Sequence, residues 1–377
     1  MSRSEEGRGS RTAGRDRKTS KELRYGETGA NARRRSVELT IDRTGVRSAE
    51  HRISCQSVSL RLSEPERLGE MAVIAASNSI CALGLRPASY MASILLPPGT
   101  EEPKLRAIAE HICLVCAQLD IRVEDLRAEV TNAVLRPVVT GSCTGREYCS
   151  GGKSIEKDIE ACPECAGDPS DKEKEPGERT AQIPRQIVMT KWAGLEATWL
   201  MASEKYDALR ERFPESILER ARSLGRTLSV CPEAEIAAGM AAKRADGKSA
   251  ADTGSSKSAD TIMTALGEGG VLAGLWRLSE RTGSGFIVNM HGIPLLQETI
   301  EITNYLGINP YQMRSAGSLL IVTEDAEALI GKLQREGIFA ARIGELTGGR
   351  DRLLLNREER RYLDRPQADE LLRIFDL

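Results

Sequence analysis

Glu268-Gly269-Gly270-Val271-Leu272-Ala273-Gly274-Leu275-Trp276 is the stretch around which the rest of the chain can be ordered. Two consecutive glycines open a helix. They let it pack closely on a strand, and they leave backbone N–H groups at the positive end of the helix dipole, where an anion would bind. The most regular part of the sequence begins here: helix 269–280, strand 285–290, helix 295–306, strand 318–323, helix 326–336 and strands 340–343 and 352–355. The alternation of apolar periods near 3.6 and near 2 predicts an α/β layer domain.

Working back from Glu268, a Gly/Ser/Ala-rich stretch at 244–260 reads as flexible, and helical patterns run over 194–205, 214–224 and 233–242 after a short strand at Ile187-Val188-Met189. Residues 141–185 are polar and rich in Gly, Pro, Asp, Glu and Lys, which marks an insertion. Before it, loose alternation over 53–62, an apolar helix over 66–83, a strand at 87–96 and a β run at 134–140 predict a second layered domain. Between the last two, Leu105, Ile108, Ile112, Val115 and Leu119 form one helical stripe. The fold class expected is therefore α+β with α/β layers in two domains. Their boundaries are a basic, disordered tail over 1–45, an N-terminal domain over 46–142, a cysteine-containing insert over 143–185, a C-terminal domain over 186–362 and a tail over 363–377.

At 377 residues the chain is long enough for two cores. A formal net charge of -2 gives no global pull toward nucleic acid or an anionic membrane. No apolar run approaches the roughly 20 residues of a membrane span, and the polar, Arg-rich N-terminus lacks a signal h-region. A cytoplasmic setting is the default expectation, and there the nine cysteines would be reduced thiols or metal ligands.

Five segments in order resemble the C-terminal domain of the aminoimidazole ribonucleotide synthetase (PurM-like) superfamily, on the branch of the hydrogenase maturation factor HypE. They are Gly194-Leu195-Glu196-Ala197-Thr198, Glu268-Gly269-Gly270, Leu306-Gly307-Ile308-Asn309-Pro310, Ser315-Ala316-Gly317-Ser318-Leu319 and Ala341-Arg342-Ile343-Gly344. Asn78-Ser79-Ile80-Cys81-Ala82-Leu83-Gly84-Leu85-Arg86-Pro87 and Glu129-Val130-Thr131 resemble N-terminal motifs of the same superfamily. The resemblance implies two α/β domains, a homodimer formed through N-terminal-domain strands, and an ATP–Mg site walled by both domains. It places cofactor contacts at Asn78, Ser79, Glu129, Thr131, Glu268, Gly269 and Gly270.

The acids that should hold Mg are largely replaced. Ser79 stands where the superfamily has Asp, Leu126-Arg127-Ala128 replaces Gly-His-Thr, and Thr264-Ala265-Leu266-Gly267 replaces His-Asp-x-Thr. Each Asp lost removes a charge from a site that must hold a polyphosphate. The resemblance to the HypE branch also leads one to expect a terminal cysteine, where this sequence reads Arg373-Ile374-Phe375-Asp376-Leu377. The expectation is a divergent nucleotide-binding or accessory protein of a maturation or biosynthetic pathway, with weakened or lost catalysis and a partner protein in that pathway. An active ATP-dependent enzyme using Glu129 and Glu268 is the alternative.

Cys162-Pro163-Glu164-Cys165, with Cys143 and Cys149, offers four thiolates for Zn, which would make the insert a metal-binding interaction module. His111, Cys113 and Cys116 interleave with apolar residues on one helix and read as core, as do Cys55, Cys81 and Cys231. The sequence pattern presents no nucleophile–base arrangement.

Overall fold

In the computed structural model the described residues are 37–39, 53–148, 185–247 and 261–375, with only the backbone described for 37–39 and 242–247. Their order is β1 (Val37–Leu39), β2 (Ile53–Val58), α1 (Glu66–Cys81), β3 (Leu85–Leu96), α2 (Glu102–Gln118), β4 (Arg122–Val130), β5 (Val138–Glu147), β6 (Gln186–Thr190), α3 (Leu195–Glu204), α4 (Tyr206–Arg210), α5 (Glu215–Ser223) and α6 (Cys231–Gly247). The chain continues through β7 (Ile262–Ala265), α7 (Gly270–Thr282), β8 (Gly285–Asn289), α8 (Gln297–Leu306), β9 (Leu319–Thr323), α9 (Ala326–Arg335), β10 (Ala340–Thr347), β11 (Arg352–Asn356), β12 (Glu359–Tyr362) and α10 (Leu372–Phe375).

The strands form two sheets, ordered β1-β2-β5-β3-β4 and β12-β11-β8-β10-β6-β9-β7. In the first, β3 alternates cleanly. Tyr90, Ala92, Ile94 and Leu96 turn inward while Met91 is exposed, as period-2 geometry requires. Helix α1 is buried nearly all round, and its small residues explain how. A Cβ on Gly69 would stand 2.5 Å from the Ile108 carbonyl oxygen of α2, so the two helices are in close contact at that point. The largest apolar cluster runs from this layer through Leu200 and Met201 of α3, Leu218 of α5 and Ile302 of α8 to Leu371 and Phe375. The second sheet is covered by α7 on one face and by α6 and α9 on the other.

The two-domain layer fold is as expected, with differences at the edges. Strand β4 is an addition, because nearly all its side chains are exposed and no alternation betrays it. Strand β5 continues past residue 142 to Glu147, pairing with β3 throughout. The segment after 362, expected as a tail, packs instead, with Leu371 fully buried and Asp369 4% exposed. Val37–Leu39 of the expected N-terminal tail pairs with β2. The remainder of that tail and most of the insert lie outside the described residues.

Candidate functional site

The C-terminal motifs converge on one junction. Lys191 and Gly194 take left-handed backbone angles, φ 53° and 73°, to turn β6 into α3. The Gly194 N–H donates to Ser315 Oγ at 2.8 Å, and the Ser315 N–H donates to the Gly267 carbonyl at 3.1 Å. Glu196, 1% exposed, pairs with Arg314 at 3.1 Å, and Arg314 also lies 3.7 Å from Glu268. Gly270 has φ 64°, and a Cβ there would stand 2.5 Å from the Met313 carbonyl oxygen, so only glycine fits.

The positive start of α7 already holds an anion. Asp369 Oδ2 accepts the Gly269 N–H at 2.7 Å, and its Oδ1 accepts the Leu371 N–H at 3.0 Å. Burial raises the Asp369 carboxyl to about 6, although Arg314 and the two N–H groups favour its ionised form. Burial works against the Arg314 guanidinium, but Glu196, Asp369 and Glu268 outweigh it and its pKa is raised. The chain has placed its own carboxylate where a helix start would receive a phosphate.

The remaining expected contacts lie elsewhere. Asn78 is 1% exposed, donates to the Leu228 carbonyl at 2.7 Å and accepts the Val230 N–H at 3.0 Å. Ser79 donates to the Ala75 carbonyl and accepts from Gln56 Nε2. Glu129 sits on the exposed edge strand, paired in register with Leu95 near the far end of β3. Helix α1 ends just before Leu85, where β3 begins. Gln56, which meets Ser79, lies on β2, and β5 and β3 stand between β2 and β4, so Asn78 and Ser79 are kept from Glu129 and Thr131 by three strand spacings, roughly 14 Å across the sheet. Glu268, Gly269 and Gly270 share a third place, at the start of α7.

Cys143 is fully buried on β5, opposite Tyr90, with its thiol pushed up to about 12 by burial. A thiolate ligand there would first have to overcome that desolvation. Cys149, Cys162 and Cys165 lie outside the described residues, and no group of three or more His, Cys, Asp or Glu among the described residues is arranged to hold a metal. Cys116 is core as expected, whereas Cys113 is exposed. Cys81 and Cys231, expected as separate core residues, lie 3.0 Å apart, sulfur to sulfur.

A cavity of about 350 Å3 opens where the first layer meets the second. Arg67 of α1 forms one side, and Trp199, Ser203, Glu219, Arg222, Ser223 and Arg226 form the other. Arg67 is neutralised by Glu64 and Glu204. Arg222 lies 5.1 Å over the Tyr206 ring, and Glu219 of the same helix also lines the cavity. Arg222 and Arg226 are exposed. The sequence does not single them out, because they sit in a polar-faced helix and the turn after it, where arginines usually mean only a solvated surface. Arg314 adjoins Ser315-Ala316-Gly317 and so had a neighbouring signal; Asp369 had none.

This architecture is a two-domain PurM-like fold. A family model described as AIR synthase related protein, C-terminal domain, matches residues 257–355. Among solved structures, Escherichia coli HypE, a hydrogenase maturation protein, is 16% identical with a TM-score of 0.58, over 86% of this chain and 88% of that one. A hydrogenase maturation protein HypE in complex with ATP is 15% identical with a TM-score of 0.56, over 87% of each chain. A ThiL complexed with AMPPCP and TMP is 13% identical with a TM-score of 0.52, over 84% of this chain and 88% of that one. At these identities the likeness is one of fold. No curated protein matches the chain in sequence.

Proposed function

We propose that this chain is a divergent PurM-fold protein that binds a nucleotide or a related polyanion and serves an accessory role in a maturation or biosynthetic pathway, with catalysis weakened or lost. The observation that carries the reading is the cavity between the layers, lined by arginines and by Trp199. Guanidinium groups offset phosphate charge through direct, charge-assisted hydrogen bonds, and they need no divalent cation to do so. That suits a sequence in which Ser79 and Thr264-Ala265-Leu266-Gly267 stand where Mg-holding acids are expected. Two relatives by fold are complexes with ATP and with AMPPCP, which supports a nucleotide as the ligand class.

A ligand that binds only the folded chain raises its melting temperature. ATP should therefore raise it to the same extent with Mg and with EDTA, and Arg222→Ala combined with Arg226→Ala should abolish the shift. A flat response at millimolar ATP would overturn the proposal. A shift that requires Mg and is accompanied by ADP release would instead support the working enzyme with Glu129 and Glu268 as carboxylates.

Pairing of two copies through the first sheet belongs to the same reading. It would cover Val130 and Leu135, which are 60% and 90% exposed beside the β4 edge. Light scattering checks this, a mass near 41.1 kDa counting against it.

A further inference from the structure

The second junction between the layers carries chemistry of its own. Asn78 and Cys81 stand three residues apart on α1, so their side chains leave the same helix face. Both meet one short segment of the other layer. Asn78 clamps the Leu228 carbonyl and the Val230 N–H, and Cys81 Sγ lies 3.0 Å from Cys231 Sγ, 150 residues away in sequence. The clamp thus holds the segment in place one residue before the second thiol.

The two thiols are not equivalent. Cys81 is fully buried, whereas Cys231 is partly exposed and is the first residue of α6, where the helix dipole favours a negative charge. The hydrogen bond from Cys81 brings the Cys231 thiol down to about 7, with Ser229 and Arg86 acting in the same direction against burial and Glu233. The bond to Cys231, together with burial, raises Cys81 well above the usual thiol range. One sulfur is a reachable nucleophile and the other a shielded proton donor in contact with it.

We propose that Cys81 and Cys231 form a redox dithiol that closes to a disulfide between α1 and α6 on meeting hydrogen peroxide or a related hydroperoxide. The Cys231 thiolate attacks one peroxide oxygen, the O–O bond breaks, and hydroxide leaves as the sulfenic acid forms. The Cys81 sulfur then attacks the Cys231 sulfur, and its proton departs with the sulfenic oxygen as water. The two sulfurs lose two electrons in total, and the peroxide is reduced to hydroxide and water. Neither the cavity nor a nucleotide takes part, so the dithiol and the proposed function stand or fall separately.

The test uses the full, reduced chain titrated with hydrogen peroxide, capped with N-ethylmaleimide and mapped by mass spectrometry. The expected first product is a peptide pair joined through Cys81 and Cys231, reversible by dithiothreitol, with the melting temperature raised by roughly 5 °C because a long loop is closed. In Cys81→Ser the resolving thiol is gone, and Cys231 should accumulate as a sulfenic acid trapped by dimedone. Preferential oxidation of the exposed Cys113, or single adducts on Cys81 and Cys231 without a cross-link, would overturn the inference. Should Cys81→Ser fail to fold, the wild-type peptide map alone decides the matter.

Discussion

Two places where distant segments meet have opposite characters. Around Arg314, Gly194, Glu196, Ser315 and the start of α7 hold one another through backbone and carboxylate contacts, and Asp369 occupies the helix start. At the cavity between the layers, Arg222 and Arg226 face solvent, with Arg222 over the Tyr206 ring. The first place is where the segments that resemble PurM-like motifs lie, yet it is closed on itself. The second bears no such motif and is open. In this chain the motif-bearing segments build architecture, and the proposed ligand site lies with residues outside them.

The largest expected effect comes from breaking the closed junction. Arg314→Met strands the buried Glu196 and Asp369 carboxylates, and removing one partner of a buried ion pair costs about 3–5 kcal/mol. Urea unfolding should show the midpoint falling accordingly; an unchanged midpoint would mean that the junction does not hold the fold.

A smaller effect concerns pH. The Asp369 carboxyl is raised in the folded chain from 3.8 to about 6, so its contribution to stability is fully present below about pH 4 and is lost as pH rises through about 6. The shift corresponds to on the order of 3 kcal/mol. Asp369→Asn should remove that part of the slope between pH 4 and 6, and parallel wild-type and variant curves would deny Asp369 its role. Smallest of all is the open site. Arg226→Ala should leave the melting temperature of the unliganded chain within about a degree, as exposed substitutions do, while weakening any ATP-induced rise. A large loss of intrinsic stability would show that the arginine is architectural after all.

Much of the fold is legible in the sequence because apolar stripes or continuous apolar runs mark its helices and strands. Leu105, Ile108, Ile112 and Val115 announce α2, and the strand at 318–323 reappears as β9. Strand β4 is illegible because an edge strand with two exposed faces carries no period. Asp369 reads as tail because a pair of acids after Arg, Pro and Gln looks solvated; only its packing beside Leu371 and the start of α7 gives it partners. The site is less legible still. Asn78 and Gly269 stand out as residues, but not what binds them, since Leu228 and Asp369 lie 150 and 100 residues away.

By itself the sequence determined the layered two-domain class, the glycine-opened helix at 269–270, and the absence of the expected Mg-binding acids at Ser79 and Thr264-Ala265-Leu266-Gly267. These are local properties, carried by period, backbone freedom and residue charge. Only the tertiary structure decided that Asp369 fills the helix start, that Arg67, Arg222 and Arg226 share one cavity, and that Cys81 meets Cys231. Each of these depends on which distant segments are pressed together. That choice is made by burial of the apolar cluster as a whole, and no local pattern records it.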